Sequence, residues 1–221
     1  MKVLVLLDLD GTLLTAQGEG RESYMEALVA VLPGRSYPEL HMAGRTDFGL
    51  WQELTGLGDG PDWEAFKGAY PPILDRRLSK RAPRLLPGAM ELCRALTTDP
   101  RFQSGIVTGN LAEGSRIKLR TAGLMRWLAG VPGAWGDSVL DKSGQARLAA
   151  EAWRLVSNEE FRIVVVGDTL ADLACARGAA AGCLGVLTGG GSHQGLEGCD
   201  LVLPDLSETE NVLNELWRIA R

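Results

Sequence analysis

Histidine is nearly absent: only His41 and His193 occur in 221 residues, which excludes a His-rich metal centre. The four cysteines, Cys93, Cys175, Cys183 and Cys199, form no CxxC pair and no metal-binding spacing. Free thiols in a reducing cytoplasm are the expectation. No stretch approaches the ~18 uninterrupted apolar residues of a membrane span. The apolar run behind Lys2 stops at Asp8, short of the roughly 7–15 residues of a secretory h-region. A soluble cytoplasmic protein follows, with no membrane partner. A long basic run is also missing, and the net charge is -5. Nucleic acid is therefore not an expected partner, because backbone binding needs clustered Lys and Arg. There is no internal repeat and no low-complexity tail.

What the chain does have is alternation. Short apolar runs at 3–7, 105–109, 162–168 and 184–190 are bounded by Gly, Asp or Thr, with a weaker one at 129–137 and a short edge candidate at 201–204. Unbroken apolar runs suit strands covered on both faces, as in parallel sheets. Helix-like segments separate them, at 88–97, 111–123, 145–156 and 170–181. In the first, Met90, Leu92, Cys93 and Leu96 form an apolar stripe. In 145–156, Leu148, Ala149, Ala152, Trp153 and Val156 are expected to face inward. This pattern predicts an α/β, doubly wound, mostly parallel Rossmann-like sheet. Residues 15–85 break it. Three helical stretches, 21–32, 46–57 and 62–80, are set apart by Gly and Pro, with no strong strand among them. The expected organisation is a core from 1–14 and 86–221, with a helical insertion at 15–85.

In open α/β sheets ligands bind outside the carboxyl ends of the strands. Those ends carry DLDGT (Asp8 to Thr12), TGN (Thr108 to Asn110), GDSVLDK (ending at Lys142) and GDTLAD (Asp168 and Asp172). Asp8, Asp10, Asp168 and Asp172 would repel one another in a partly dry site. Lys142 and a divalent cation would relieve that charge, and an all-oxygen donor set favours Mg²⁺ over Zn²⁺. The Thr108 hydroxyl and free backbone N–H groups in the strand-end turns suit a phosphoryl group. Asp8 and Asp10 lie two residues apart, so a regular strand would point both the same way.

In this order and spacing, DLDGTL, TGN, Lys142 and GDTLAD resemble the four motifs of the haloacid dehalogenase-like hydrolase superfamily. PRLLPGAMELCRAL (83–96) resembles its re-entry segment after a helical cap. The resemblance implies a phosphatase, with a phosphomutase as the alternative and a non-catalytic relative as a third reading. It implies that Asp8 is the nucleophile and Asp10 the acid and base. Mg²⁺ would be held by Asp8, the backbone carbonyl of Asp10, and Asp168, with Asp172 supporting the metal or orienting Lys142. Thr12, Thr108, Gly109 and Asn110 would contact the phosphoryl group, which Lys142 would screen. The third motif departs from the usual Lys-Pro, since Ser143 follows Lys142; Lys118 is the competing lysine. GRTD (44–47) resembles a substrate-contacting stretch in the caps of phosphoglycolate phosphatase-like and phosphoglucomutase-like relatives. Arg45 would then meet a carboxylate or phosphate of the substrate; the plainer reading is a helix N-terminus capped by Thr46 or Asp47. GGGSH (189–193) reads as a turn, not a phosphate loop, for want of a GK[ST] ending. The expected partner is a small phosphorylated metabolite, and the expected assembly a monomer or weak homodimer.

Overall fold

The structure is a computed structural model that describes residues 2–157, 159–189 and 193–221. The stretch 189–193, read above as a turn, lies mostly outside these residues. Strand β1 (Lys2–Leu7) leads to a short β2 (Leu14–Thr15) and helices α1 (Glu19–Val31), α2 (Asp47–Thr55) and α3 (Pro61–Lys80). The chain returns through β3 (Arg84–Leu85) and continues α4 (Ala89–Thr98), β4 (Phe102–Val107), α5 (Ala112–Thr121), α6 (Met125–Leu128) and β5 (Gly133–Ala134). It ends α7 (Gln145–Val156), β6 (Phe161–Gly167), α8 (Leu170–Gly178), β7 (Gly182–Val186), β8 (Leu201–Leu203) and α9 (Thr209–Ile219).

Six strands form one sheet in the order β5-β4-β1-β6-β7-β8, every pairing parallel. The first strand lies in the middle and the order runs outward on both sides. The reversal therefore falls between β1 and β6, where a doubly wound sheet opens its crevice. The physical reason for the unbroken apolar run in β1 is burial on two sides. Val3, Val5 and Leu7 face one core with α4 and α9, while Leu4 and Leu6 face another with α7 and α8. Each such side chain stabilises the fold by about 1.5–3 kcal/mol relative to exposure.

The inserted helices have a separate core. Tyr24, Trp51, Trp63, Phe66 and Tyr70 are fully buried and packed ring on ring, and Leu111 and Ile117 from the α5 region complete the cluster. Helix α3 continues through Pro71 and Pro72, which leaves the carbonyls of Lys67 and Gly68 without their helical partners.

Several expectations are corrected. The chain leaves and re-enters the sheet through a two-stranded antiparallel ribbon, β2 with β3, where no strand was expected. Strands of two residues carry no periodicity for sequence to show. Helix α7 buries Gln145, Ala146, Ala149 and Ala150, whereas Leu148 and Val156 are 46% and 68% exposed. A small-residue face lets α7 lie close against the sheet, and this displaces the larger side chains to its rim. Helix α9, unread in the sequence, buries Val212 and Leu216 against the first core.

Candidate active site

Four strand ends deliver the polar residues to one place. Asp8, Asp10, Thr108, Gly109, Asn110, Lys142 and Asp168 all line a cavity of about 520 Å³, joined by Arg45, Asp47 and Lys118. The cavity sits at the carboxyl edge of β1, β4 and β6, where the strand order reverses.

The two acids of DLDGT meet different partners. Asp8 is 5% exposed, and its Oδ1 accepts a 2.7 Å bond from Lys142 Nζ. The same ammonium donates 2.6 Å to Asp172 Oδ1. Asp8, Asp168 and Asp172 bring carboxylate oxygens within 4.8 Å of one another, all buried. Burial pushes the Asp8 carboxyl well above the usual range; Lys142 opposes this, and Asp172 and Asp168 add to it. Asp168 is pushed up to about 7, by burial first and by Asp172 next. Burial disfavours the charge on Lys142, yet Asp172 and Asp8 outweigh it and raise its pKa. One lysine among three acids leaves an excess of negative charge in a dry pocket. The donor set is oxygen alone, which fits a hard divalent cation. Space is kept by glycine: a Cβ on Gly11 would stand 2.3 Å from Asp168 Oδ2.

Asp10 faces the other lysine. Lys118 Nζ donates 2.6 Å to Asp10 Oδ2 and 2.6 Å to Asn110 Oδ1, and Asn110 Nδ2 donates 2.7 Å to Asp10 Oδ2. The sequence posed Lys142 and Lys118 as competitors for one position. The fold places both, one beside each catalytic candidate, because α5 carries Lys118 back under the Thr108–Asn110 loop. Both ammonium groups are buried, at 3% and 2% exposure. Lys118 as a partner of Asp10 was missed; its helix register offers no local motif.

The remaining candidates fall as follows. Thr108 is buried, and its Oγ1 accepts 2.7 Å from Asn110 Nδ2 while its own O–H has no acceptor among the described residues. Thr12 donates 3.1 Å to Asp168 Oδ1, so its hydroxyl holds that carboxylate. Both oxygens of Asp172 are used: Oδ1 by Lys142 and Oδ2 by the backbone N–H and hydroxyl of Thr169, in a capping box at the start of α8. Thr46 is the N-cap of α2, its hydroxyl accepting 3.0 Å from Gly49 N. Arg45 reaches the cavity rim, and its guanidinium pairs with Glu53 on the surface. His41 is exposed.

Asp47 was not singled out in the sequence as more than a possible cap. It is 2% exposed, and its Oδ2 accepts 2.6 Å from Leu111 N. Its own N–H donates 2.7 Å to Gly109 O. Burial pushes its carboxyl up to about 7, against the opposing pull of the Leu111 N–H and Lys118. All four cysteines are free, and the Sγ atoms of Cys183 and Cys199 lie 3.1 Å apart. Among the described residues no helix is long and apolar enough to cross a membrane.

A wholly parallel sheet wound outward from its first strand, with acids and lysines gathered at the reversal point, defines a doubly wound α/β enzyme core. The family model for haloacid dehalogenase-like hydrolases matches residues 5–177, and the chain belongs to that family. Solved structures share the fold over nearly the whole length. A hydrolase from Pseudomonas syringae is 23% identical, covering 97% of this chain and 99% of its own, with a TM-score of 0.70. CbbY from Rhodobacter sphaeroides, in complex with phosphate, is 19% identical over 94% of this chain and 96% of its own, with a TM-score of 0.73. A variant of CbbY in complex with xylulose-(1,5)bisphosphate gives 18% identity, the same coverage and a TM-score of 0.73. No curated protein matches the chain.

Proposed function

We propose that the protein is a Mg²⁺-dependent phosphatase that hydrolyses a small phosphomonoester through an aspartyl-phosphate on Asp8. The observation that carries this reading is the division of labour between two neighbouring acids. Asp8 sits in the acidic cluster beside Lys142, and Asp10 faces the same cavity with Lys118 and Asn110.

Asp8, Asp168 and the backbone carbonyl of Asp10 would hold the ion, which when bound offsets charge on the cluster and on the phosphoryl oxygens. Lys142 keeps Asp8 oriented through Oδ1; Oδ2 accepts no hydrogen bond among the described residues and is the candidate nucleophilic atom. Asp172 fixes Lys142 from behind. The Thr108 hydroxyl, with its proton unclaimed, donates to a phosphoryl oxygen, alongside the N–H groups of the Gly109–Asn110 turn. Attack by Asp8 breaks the P–O bond to the leaving group, and Asp10 supplies a proton to the departing oxygen. Asp10 then takes a proton from the water that attacks the aspartyl-phosphate, releasing inorganic phosphate and restoring Asp8.

Residues 15–85 act in this reading as a cap, hinged on the β2–β3 ribbon and closing the cavity over small substrates. CbbY, similar in fold, was solved with phosphate and, as a variant, with a phosphorylated sugar, which supports a small phosphorylated metabolite as substrate. Turnover of p-nitrophenyl phosphate with Mg²⁺ tests the proposal: Asp8→Asn and EDTA should each abolish it. Full activity after either treatment refutes the mechanism, and an isomerised hexose phosphate without released phosphate would make the enzyme a mutase.

A further inference from the structure

The N-terminus of α2 does not merely lie over the strand-end loops; it is bonded to them backbone to backbone. Asp47 N donates to Gly109 O at 2.7 Å and Phe48 N donates to Gly136 O at 3.0 Å. Gly136 N in turn donates 2.8 Å to Asn110 O. No side chain fits between these segments. A Cβ on Gly109 would stand 1.9 Å from Arg45 O, and one on Gly136 would stand 1.8 Å from Gly109 O. The Asp47 side chain completes the contact by accepting from Leu111 N, at the residue preceding α5. Its backbone carbonyl accepts 2.7 Å from Tyr24 Oη, tying the joint to α1.

We infer that Asp47 is a positioning residue: it holds the Thr108–Asn110 loop in its anion-binding shape from the inserted helices, so that seating of those helices and phosphate binding are one event. Asp47 need not touch the substrate. The N–H of Leu111 is an end-of-helix donor with no helical partner of its own. Left unpaired in a buried place, it would draw the loop toward another acceptor, at the expense of the turn before it. By occupying that N–H and the Gly109 carbonyl together, Asp47 fixes both sides of the peptide units that face the cavity. The inference rests on the phosphatase reading for its meaning, but its test does not need turnover.

The probe is inorganic phosphate, titrated calorimetrically against the full chain with Mg²⁺ present. Asp47→Ala removes the acceptor and is expected to weaken phosphate about tenfold or more, the consequence of leaving one buried N–H unpaired. Asp47→Asn keeps an oxygen for Leu111 N and is expected to stay within about threefold of the wild type. Mg²⁺ affinity, set by Asp8 and Asp168, should not change in either variant. Equal loss in the Ala and Asn variants, wild-type phosphate affinity in the Ala variant, or no phosphate binding by the wild type would each overturn the inference. Amide hydrogen exchange on the wild type gives a second reading that needs no variant. Phosphate should protect residues 46–48 and 109–112 together, and protection of 109–112 alone overturns the coupling. Phosphate binding with this pattern but no ester hydrolysis would refute the phosphatase reading while leaving the role of Asp47 standing.

Discussion

Replacing Lys142 by Met tests whether the acids at the sheet's switch point are as dry and crowded as their geometry implies. Met keeps an unbranched side chain of similar volume and removes one charge and its donors. Lys142 is 3% exposed and bridges Asp8 and Asp172 at 2.7 and 2.6 Å, with Asp168 in the same group. Removing one partner of a buried pair leaves an uncompensated charge, at a cost of about 3–5 kcal/mol. The loss should depend on pH. Asp168, in the same group, is pushed up to about 7 by burial and then by Asp172, so between pH 8 and pH 5.5 the cluster takes up a proton and needs the lysine less. In EDTA the variant should lose about 3–5 kcal/mol at pH 8 and clearly less at pH 5.5, read by urea unfolding. By heat, the pH 8 loss corresponds to a fall of on the order of 6–20 °C. Mg²⁺ at a hundredfold excess over its Kd should return about 2.7 kcal/mol to the wild type. It should return more to the variant, whose cluster carries one more unit of negative charge. A variant as stable as the wild type at pH 8 in EDTA would refute the reasoning, because it would mean that water already screens these carboxylates.

Two further substitutions address the joint between the inserted helices and the sheet. Asp47 is raised to about 7 in the folded state, against about 3.9 unfolded, so the folded protein keeps a proton that the unfolded chain releases. Its contribution to stability is therefore fully present below about pH 4 and is lost as pH rises toward 7, by up to about 4 kcal/mol. Asp47→Asn should remove this share of the pH slope across that window, leaving the share of Asp168, which is also raised to about 7, and an unchanged pH slope would show that Asp47 titrates normally. Gly109→Ala forces a Cβ to within 1.9 Å of Arg45 O. The joint must open, at an expected loss of about 1–3 kcal/mol with weaker phosphate binding; a variant with wild-type stability would mean that the contact is looser than described.

Much of this protein was readable before any coordinates. Unbroken apolar runs and their punctuation marked the strands that begin near Val3, Arg162 and Leu184, and the acids that follow the first two, because a strand buried on both faces must be apolar until it reaches the edge where chemistry begins. Thr108, Lys142 and Asp168 could be singled out because each closes such a strand or its loop. What only the tertiary structure decided was pairing across distance. That Lys142 serves Asp8 while Lys118 serves Asp10 depends on how α5 packs beneath a loop, and sequence spacing holds no record of it. The exposed Leu148 and the buried Gln145 of α7 follow from a close helix–sheet approach that local hydrophobicity misorders. The bond from Leu111 N to Asp47, 64 residues earlier, exists because two backbones meet at glycines. Burial, not residue type, then turns an ordinary helix-start aspartate into a raised, buried acid.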